Sequence, residues 1–201
     1  YQFYQDFIGF QQGTKRPIVC PIADNALFFY DYDWQGTFKE KGVKVHKIKV
    51  IPKRASDPVF RGVINIVNDS WRIHSLDLTI TSKNGLRQFD TLNMKQTYLP
   101  VNDSVWRLYN QNFQLKANIF GLGINANALA HFSDYNLSPD LPEDFFDNEL
   151  VKITDKASDR DSSYWSKNRP VKLRPEEIRD YHLKDSLEVI RNSPEYIDSV
   201  D

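Results

Sequence analysis

Cysteine is almost missing from this 201-residue chain. Cys20 stands alone, which rules out an intramolecular disulfide framework and a cysteine-rich zinc site. Glycine (8) and proline (10) are also sparse, so the chain is neither collagen-like nor wholly disordered. No charge of one sign dominates. Twenty-six basic side chains face 27 acidic ones, for a net charge of -1, which argues against bulk electrostatic capture of nucleic acid or anionic membrane. No apolar run approaches the ~20 residues that cross a bilayer as a helix. No signal peptide is evident, and the chain opens on Tyr1 rather than Met, which points to a piece of something longer.

What is abundant is aromatic. Thirteen Phe, ten Tyr and four Trp lie mostly before residue 135, among Val, Ile and Thr, residues that suit a pleated, half-buried surface. Glu40-Lys41-Gly42, Asn68-Asp69-Ser70, Lys83-Asn84-Gly85, Asn102-Asp103-Ser104 and Phe120-Gly121 are spaced like hairpin tips. Apolar residues alternate between them. Phe28, Tyr30, Tyr32 and Trp34 share one face of a first run, and Phe60, Gly62, Ile64 and Ile66 of another. Val105, Tyr109, Phe113, Leu115 and Ala117 line a later run; Ile124, Ala126, Ala128, Ala130 and Phe132 line the last. Period two over this length marks antiparallel strands with one wet face.

Two runs slip phase: Val43 and Val45 precede Ile48 and Val50, and Trp71 and Ile73 precede Leu76, Leu78 and Ile80. A β-bulge produces such a slip and bends a sheet; a strand apolar on both faces is the other explanation. The bulge reading predicts a curved antiparallel sheet of about seven strands. After Phe132 the composition turns charged and proline-punctuated. Pro142-Glu143-Asp144 and Pro175-Glu176-Glu177 have proline at a first helical position and acids in the first turn. Ile178, Tyr181, Leu183, Leu187 and Ile190 then recur at helical spacing. The expected fold is α+β: an open half-barrel over residues 1–140, covered by a helical extension over 141–201, with Phe145, Phe146, Tyr164 and Trp165 as anchors of the tail.

The candidate chemistry is thin. Asp31-Tyr32-Asp33-Trp34-Gln35-Gly36 opens like a calcium loop, but Gly42 stands where the bidentate Glu belongs. Gly121-Leu122-Gly123-Ile124-Asn125-Ala126 fits a dinucleotide string, yet strand-like sequence lies on both sides, and the site needs a following helix. His46, His74, His131 and His182 have no ligand spacing. Cys20 lacks the helix start that would lower its pKa. No Gly-x-Ser-x-Gly or phosphate-binding glycine loop occurs. Lys39, Lys41, Lys44, Lys47, Lys49, Lys53 and Arg54 make the second hairpin basic and Asp134 to Asp161 is acidic. The basic set lacks the interleaved aromatics of a single-strand binder, so it reads as solvated strand, with the acidic stretch as a docking partner. No catalytic set, metal or cofactor is expected, and no nucleic-acid partner.

Several strings recur in order: Pro21 to Tyr30, Val45 to Arg54, Asp57 to Gly62, Trp71 to Thr79, Gln96 to Pro100, Ser133 to Leu137, Asp161 to Trp165, Arg169-Pro170 and Asp185 to Glu188. With these, nearly the whole chain resembles the middle portion of a Bacteroidota outer-membrane family of uncharacterised function. Members of that family begin with a carboxypeptidase-regulatory-like domain, a β-sandwich rather than a peptidase, and end in a membrane β-barrel. The resemblance implies a stretch on the periplasmic side of the outer membrane, with neighbouring domains of the same chain, the barrel included, as partners. Its motifs are aromatic, Pro and Asn/Asp/Ser residues, so it carries over no catalytic residue. Asp90-Thr91-Leu92, Asp103-Ser104-Val105, Asp185-Ser186-Leu187 and Asp198-Ser199-Val200 resemble the O-glycosylation signal of that phylum.

Gly42 to Leu78 is also similar, more loosely, to lipoprotein-localisation carriers, half-barrels with helices across the mouth. Two functions are therefore expected. The first is a non-enzymatic periplasmic module making scaffold or protein–protein contacts. The second is a carrier or sensor of a lipid or acylated protein, with Phe28, Tyr30, Tyr32, Phe113 and Ile124 lining an apolar cavity; an ordinary filled core is the competing account of those residues.

Overall fold

The computed structural model describes residues 3–8, 16–87, 89–119, 121–141 and 160–191. The chain divides into two units, Tyr1–Ser138 and Pro139–Asp201. In the first, strands β1 (Phe7–Ile8) and β2 (Ile18–Val19) form a short antiparallel pair. The remaining strands are β3 (Tyr30–Glu40), β4 (Val43–Pro52), β5 (Arg61–Val67), β6 (Ile73–Thr81), β7 (Thr91–Pro100), β8 (Trp106–Ile119) and β9 (Leu122–His131). They follow one another in spatial order as a seven-stranded, fully antiparallel meander, with β3 and β9 at its edges. The fold is broadly α+β, mostly antiparallel sheet with helices near the C-terminus.

The five expected turns join these strands. Lys41 and Gly42 take positive φ (48° and 84°) between β3 and β4, and Gly85 (106°) and Gly121 (84°) close two further connections. Register then sets which side chains share a face, because successive residues alternate. Val50 lies opposite Gly62, which faces Leu78, which faces Met94, which faces Phe113. Ile48, Ile64, Leu76 and Gln96 form the neighbouring row. The other face is polar: Lys95 bridges Asp77 at 2.9 Å, and Asn65 Nδ2 donates to Ser75 Oγ at 2.9 Å.

Three register shifts interrupt the ladder, each with two residues opposing one: Gln35–Gly36 in β3, His74 in β6 and Tyr109 in β8. The shift in β6 sits at the slip expected after Ile73. The slip expected in β4 has the other cause. That strand pairs with β5 without interruption from Val45 to Val50, and it buries residues on both faces. Val45 (0% exposed) lies between Phe38 and Val67 on the otherwise polar side, while Val50 (1%) faces the main core. The bulge at Tyr109 also splits the face expected for β8, since Trp106 and Leu108 pack against the core instead of Val105 and Tyr109.

The N-terminal segment covers the apolar face. Phe3, Ile8, Ile18, Val19 and Cys20 are each at most 3% exposed and join Tyr30, Phe60, Leu78 and Met94 in one cluster. Phe3 and Phe60 rings meet at 5.6 Å, and Val19 forms a parallel bridge with Val59.

In the second unit, α1 (Ser162–Asn168) is capped by Asp161, whose carboxylate accepts the Tyr164 N–H at 2.8 Å. This helix was not expected; its signal was the aspartate ahead of Ser162-Ser163. Helix α2 (Pro175–Arg191) starts at the expected proline. Its Glu177 reaches back to accept the Arg174 N–H at 2.8 Å, half of a capping box. The Arg169 guanidinium lies over the Trp165 and Tyr181 rings, at 5.9 and 5.1 Å. The helix expected from Pro142, with Phe145 and Phe146, falls outside the described residues.

Candidate functional site

The five residues expected to line a cavity do not share one environment. Tyr30 is 1% exposed at the start of β3. Its hydroxyl donates to the Val19 carbonyl at 2.6 Å and accepts the Phe60 N–H at 3.0 Å. Tyr32 donates to the Pro21 carbonyl at 2.6 Å. Burial pushes the Tyr30 phenol well above its ordinary range and the Tyr32 phenol up to about 12. Both are therefore neutral donors tying the N-terminal segment to the sheet. Phe113 and Tyr32 flank the core. Phe28 stands outside the strand, in a 3-10 turn (Ala26–Phe28), and is 78% exposed. Ile124 sits on edge strand β9 and is exposed. Strand alternation places Phe28 in phase with Tyr30 only if the strand begins earlier; the turn at Ala26 breaks that phase.

The reactive side chains are dispersed. Cys20 is buried and its Sγ donates to the Phe3 carbonyl at 3.0 Å; burial pushes the thiol up to about 11, so it is protonated at neutral pH. His74 is buried beside Glu40 at 3.6 Å, and desolvation holds its pKa below the ordinary 6.5 despite that carboxylate. Among the described residues, no group of three or more His, Cys, Asp or Glu is placed to hold a metal ion. The calcium-loop-like string is the body of β3, with Asp31 beside Lys53 at 3.6 Å. The glycine string turns at Gly121 and runs on as β9. Along the basic hairpin, a depression of about 510 Å³ lies between Lys49, Ile51, Ala55, Arg61 and Val63.

The two sheet edges differ sharply. β3 carries Asp31, Asp33, Lys39 and Glu40 and is broken by the Gln35–Gly36 bulge. Charge and bulges are the usual guards against strand addition. β9 reads Leu-Gly-Ile-Asn-Ala-Asn-Ala-Leu-Ala-His, ten residues without a proline, an acid or a lysine. It pairs with β8 through ten consecutive positions without a shift. Leu122 is 72% exposed, and Ile124 and Leu129 are exposed beside it. His131 Nδ1 lies 2.7 Å from Asn110 Oδ1 and pins the end of the strand. Sequence reading identified this strand but not its place at an edge; the signal was its lack of charge.

No curated protein and no solved structure matches the chain. Residues 1–135, which hold the whole seven-stranded sheet, match the model described as Family of unknown function (DUF5686), and the chain belongs to that family.

Proposed function

We propose that this chain is a non-enzymatic protein–protein contact module on the periplasmic side of an outer-membrane protein, and that β9 is where it makes contact. The observation that carries the reading is the β9 edge, ten uncharged residues long and paired on one side only among the described residues, in the same sheet as a guarded β3 edge. An open edge offers a row of unpaired N–H and C=O groups, and an added strand satisfies them. The resemblance of the ordered motifs to a middle periplasmic region supports the compartment and makes a neighbouring domain of the same longer chain, or a periplasmic protein, the strand donor. The bulges in β3, β6 and β8 support a sheet bowed into an open half-barrel. The lipid-carrier alternative gains no support from the described residues, because Phe3, Ile8, Ile18 and Val19 occupy the face that cargo would need.

The test is photocrosslinking in intact cells, with a benzoylphenylalanine at Asn127 of β9 or at Asp33 of β3. Adducts to envelope proteins or neighbouring domains from position 127, absent from position 33 and lost with Ala128→Lys, are expected. Adducts only to cytosolic proteins, or equal yields from both edges, overturn the reading.

A further inference from the structure

Two of the four tryptophans stand in solvent and converge on one histidine. Trp34 is 63% exposed on β3, Trp71 is 71% exposed in the turn between β5 and β6, and His46 of β4 joins them. Trp34 Nε1 donates to His46 Nδ1 at 3.3 Å. The proton of the neutral ring is thereby placed on Nε2, which donates to Asn68 Oδ1 at 2.8 Å. The imidazole lies nearly parallel to the Trp71 indole, with centroids 6.2 Å apart and planes at 9°.

The backbone is shaped to hold this arrangement. Trp71 has φ 56° and Asp69 has φ 66°, a left-handed conformation that bulky side chains rarely adopt. Trp71 N donates to the Val67 carbonyl at 3.0 Å and Val67 N to the Arg72 carbonyl at 2.8 Å, which locks the turn. On the other side, the β3 bulge at Gln35–Gly36 falls directly after Trp34 and brings Thr37 opposite His46. Bulges re-aim side chains in this way next to sites. Backbone strain and two solvated indoles do nothing for the core, and such strain clusters where ligands are held.

We propose that Trp34, His46 and Trp71 form a carbohydrate-stacking platform, with Asn68 and Thr37 as its hydrogen-bonding rim. The axial C–H bonds of a pyranose are electropositive and suit the negative π-face of an indole. Because His46 occupies Asn68 Oδ1, the Asn68 amide is oriented and its Nδ2 group remains as a donor for sugar hydroxyls. Thr37, the register partner of His46 on β3, is exposed. The chemistry separates this ligand from two others that use aromatic surfaces. Proline-rich peptides dock in grooves lined by aromatic rings, whereas the near-parallel His46 and Trp71 rings, 6.2 Å apart, are too close to admit a proline ring between them. Membrane insertion needs aliphatic neighbours, whereas Trp71 sits in Asn68-Asp69-Ser70-Trp71-Arg72.

The four indole N–H signals of the 201-residue chain provide the readout by two-dimensional ¹⁵N–¹H NMR, assigned with single Trp→Phe variants. The probes are chitohexaose, a delipidated lipopolysaccharide oligosaccharide, and phosphatidylethanolamine/phosphatidylglycerol vesicles. Saturable shifts of the Trp34 and Trp71 signals with either glycan are expected, with Trp106 and Trp165 unmoved. Which glycan acts distinguishes a cell-wall source from a lipopolysaccharide source. Trp71→Ala should weaken that binding at least tenfold while the other indole signals keep their positions, and Asn68→Ala should weaken it less. No shift with either glycan, a response to vesicles alone, or undiminished binding by Trp71→Ala overturns the proposal.

Discussion

At the scale of single residues, the tyrosines of β3 tie the N-terminal segment to the sheet. Tyr30 satisfies two backbone groups at once, the Val19 carbonyl and the Phe60 N–H, from a fully buried position. Tyr30→Phe removes both hydrogen bonds, and a buried group stripped of its hydrogen bond costs about 1–3 kcal/mol. Urea denaturation should show a loss of that size with an unchanged m-value. His74 acts through pH. Its folded pKa lies below the 6.5 of the free side chain because of burial. The unfolded chain therefore binds the proton first, and stability, complete above pH 6.5, falls as pH drops toward the lower folded value. His74→Gln should flatten the slope of the melting temperature against pH across that window and leave the alkaline side unchanged.

At the scale of elements, β5 leaves no room for a side chain against β6 at Gly62. Gly62 has φ 147°, and a Cβ there would sit 2.0 Å from the Asp77 carbonyl oxygen. The contact is backbone, so no side chain can rotate away. Gly62→Ala should destabilise by roughly 3 kcal/mol or more, read as a fall in the urea midpoint or as loss of soluble protein. Helix termini show a different balance. Pro175 with two following glutamates announced α2, because capping is local. The shorter α1, capped by one aspartate, lacked the apolar periodicity that a longer helix displays.

At the scale of the molecule, the sheet's apolar face depends on chain that lies before it. Phe3, Ile8, Ile18, Val19 and Cys20 are nearly inaccessible, and burying a large apolar side chain contributes about 1.5–3 kcal/mol. Together they match the net stability of about 5–15 kcal/mol typical of a whole domain. A chain lacking residues 1–20 should therefore lose the cooperative thermal transition of the sheet unit and bind a hydrophobic dye, whereas the intact chain should keep that transition and bind far less dye.

Strands, turns and their order could be read from the sequence because their causes are local. Period-two alternation and glycine or Asn-Asp turns act within a few residues, and all five turns and the seven-stranded meander follow from them. Three things could not be read this way: what covers the apolar face, which strand is left at an open edge, and which exposed aromatics meet. Each is set by contacts between distant parts of the chain, such as the Ile73 N–H on the Tyr4 hydroxyl, 69 residues apart, or the Trp34 indole on His46 across the first hairpin. An apolar stripe specifies that something must bury it, not which segment will. That choice was left to the tertiary packing, where shape and unpaired hydrogen-bonding groups discriminate between candidates that hydrophobicity alone ranks as equal.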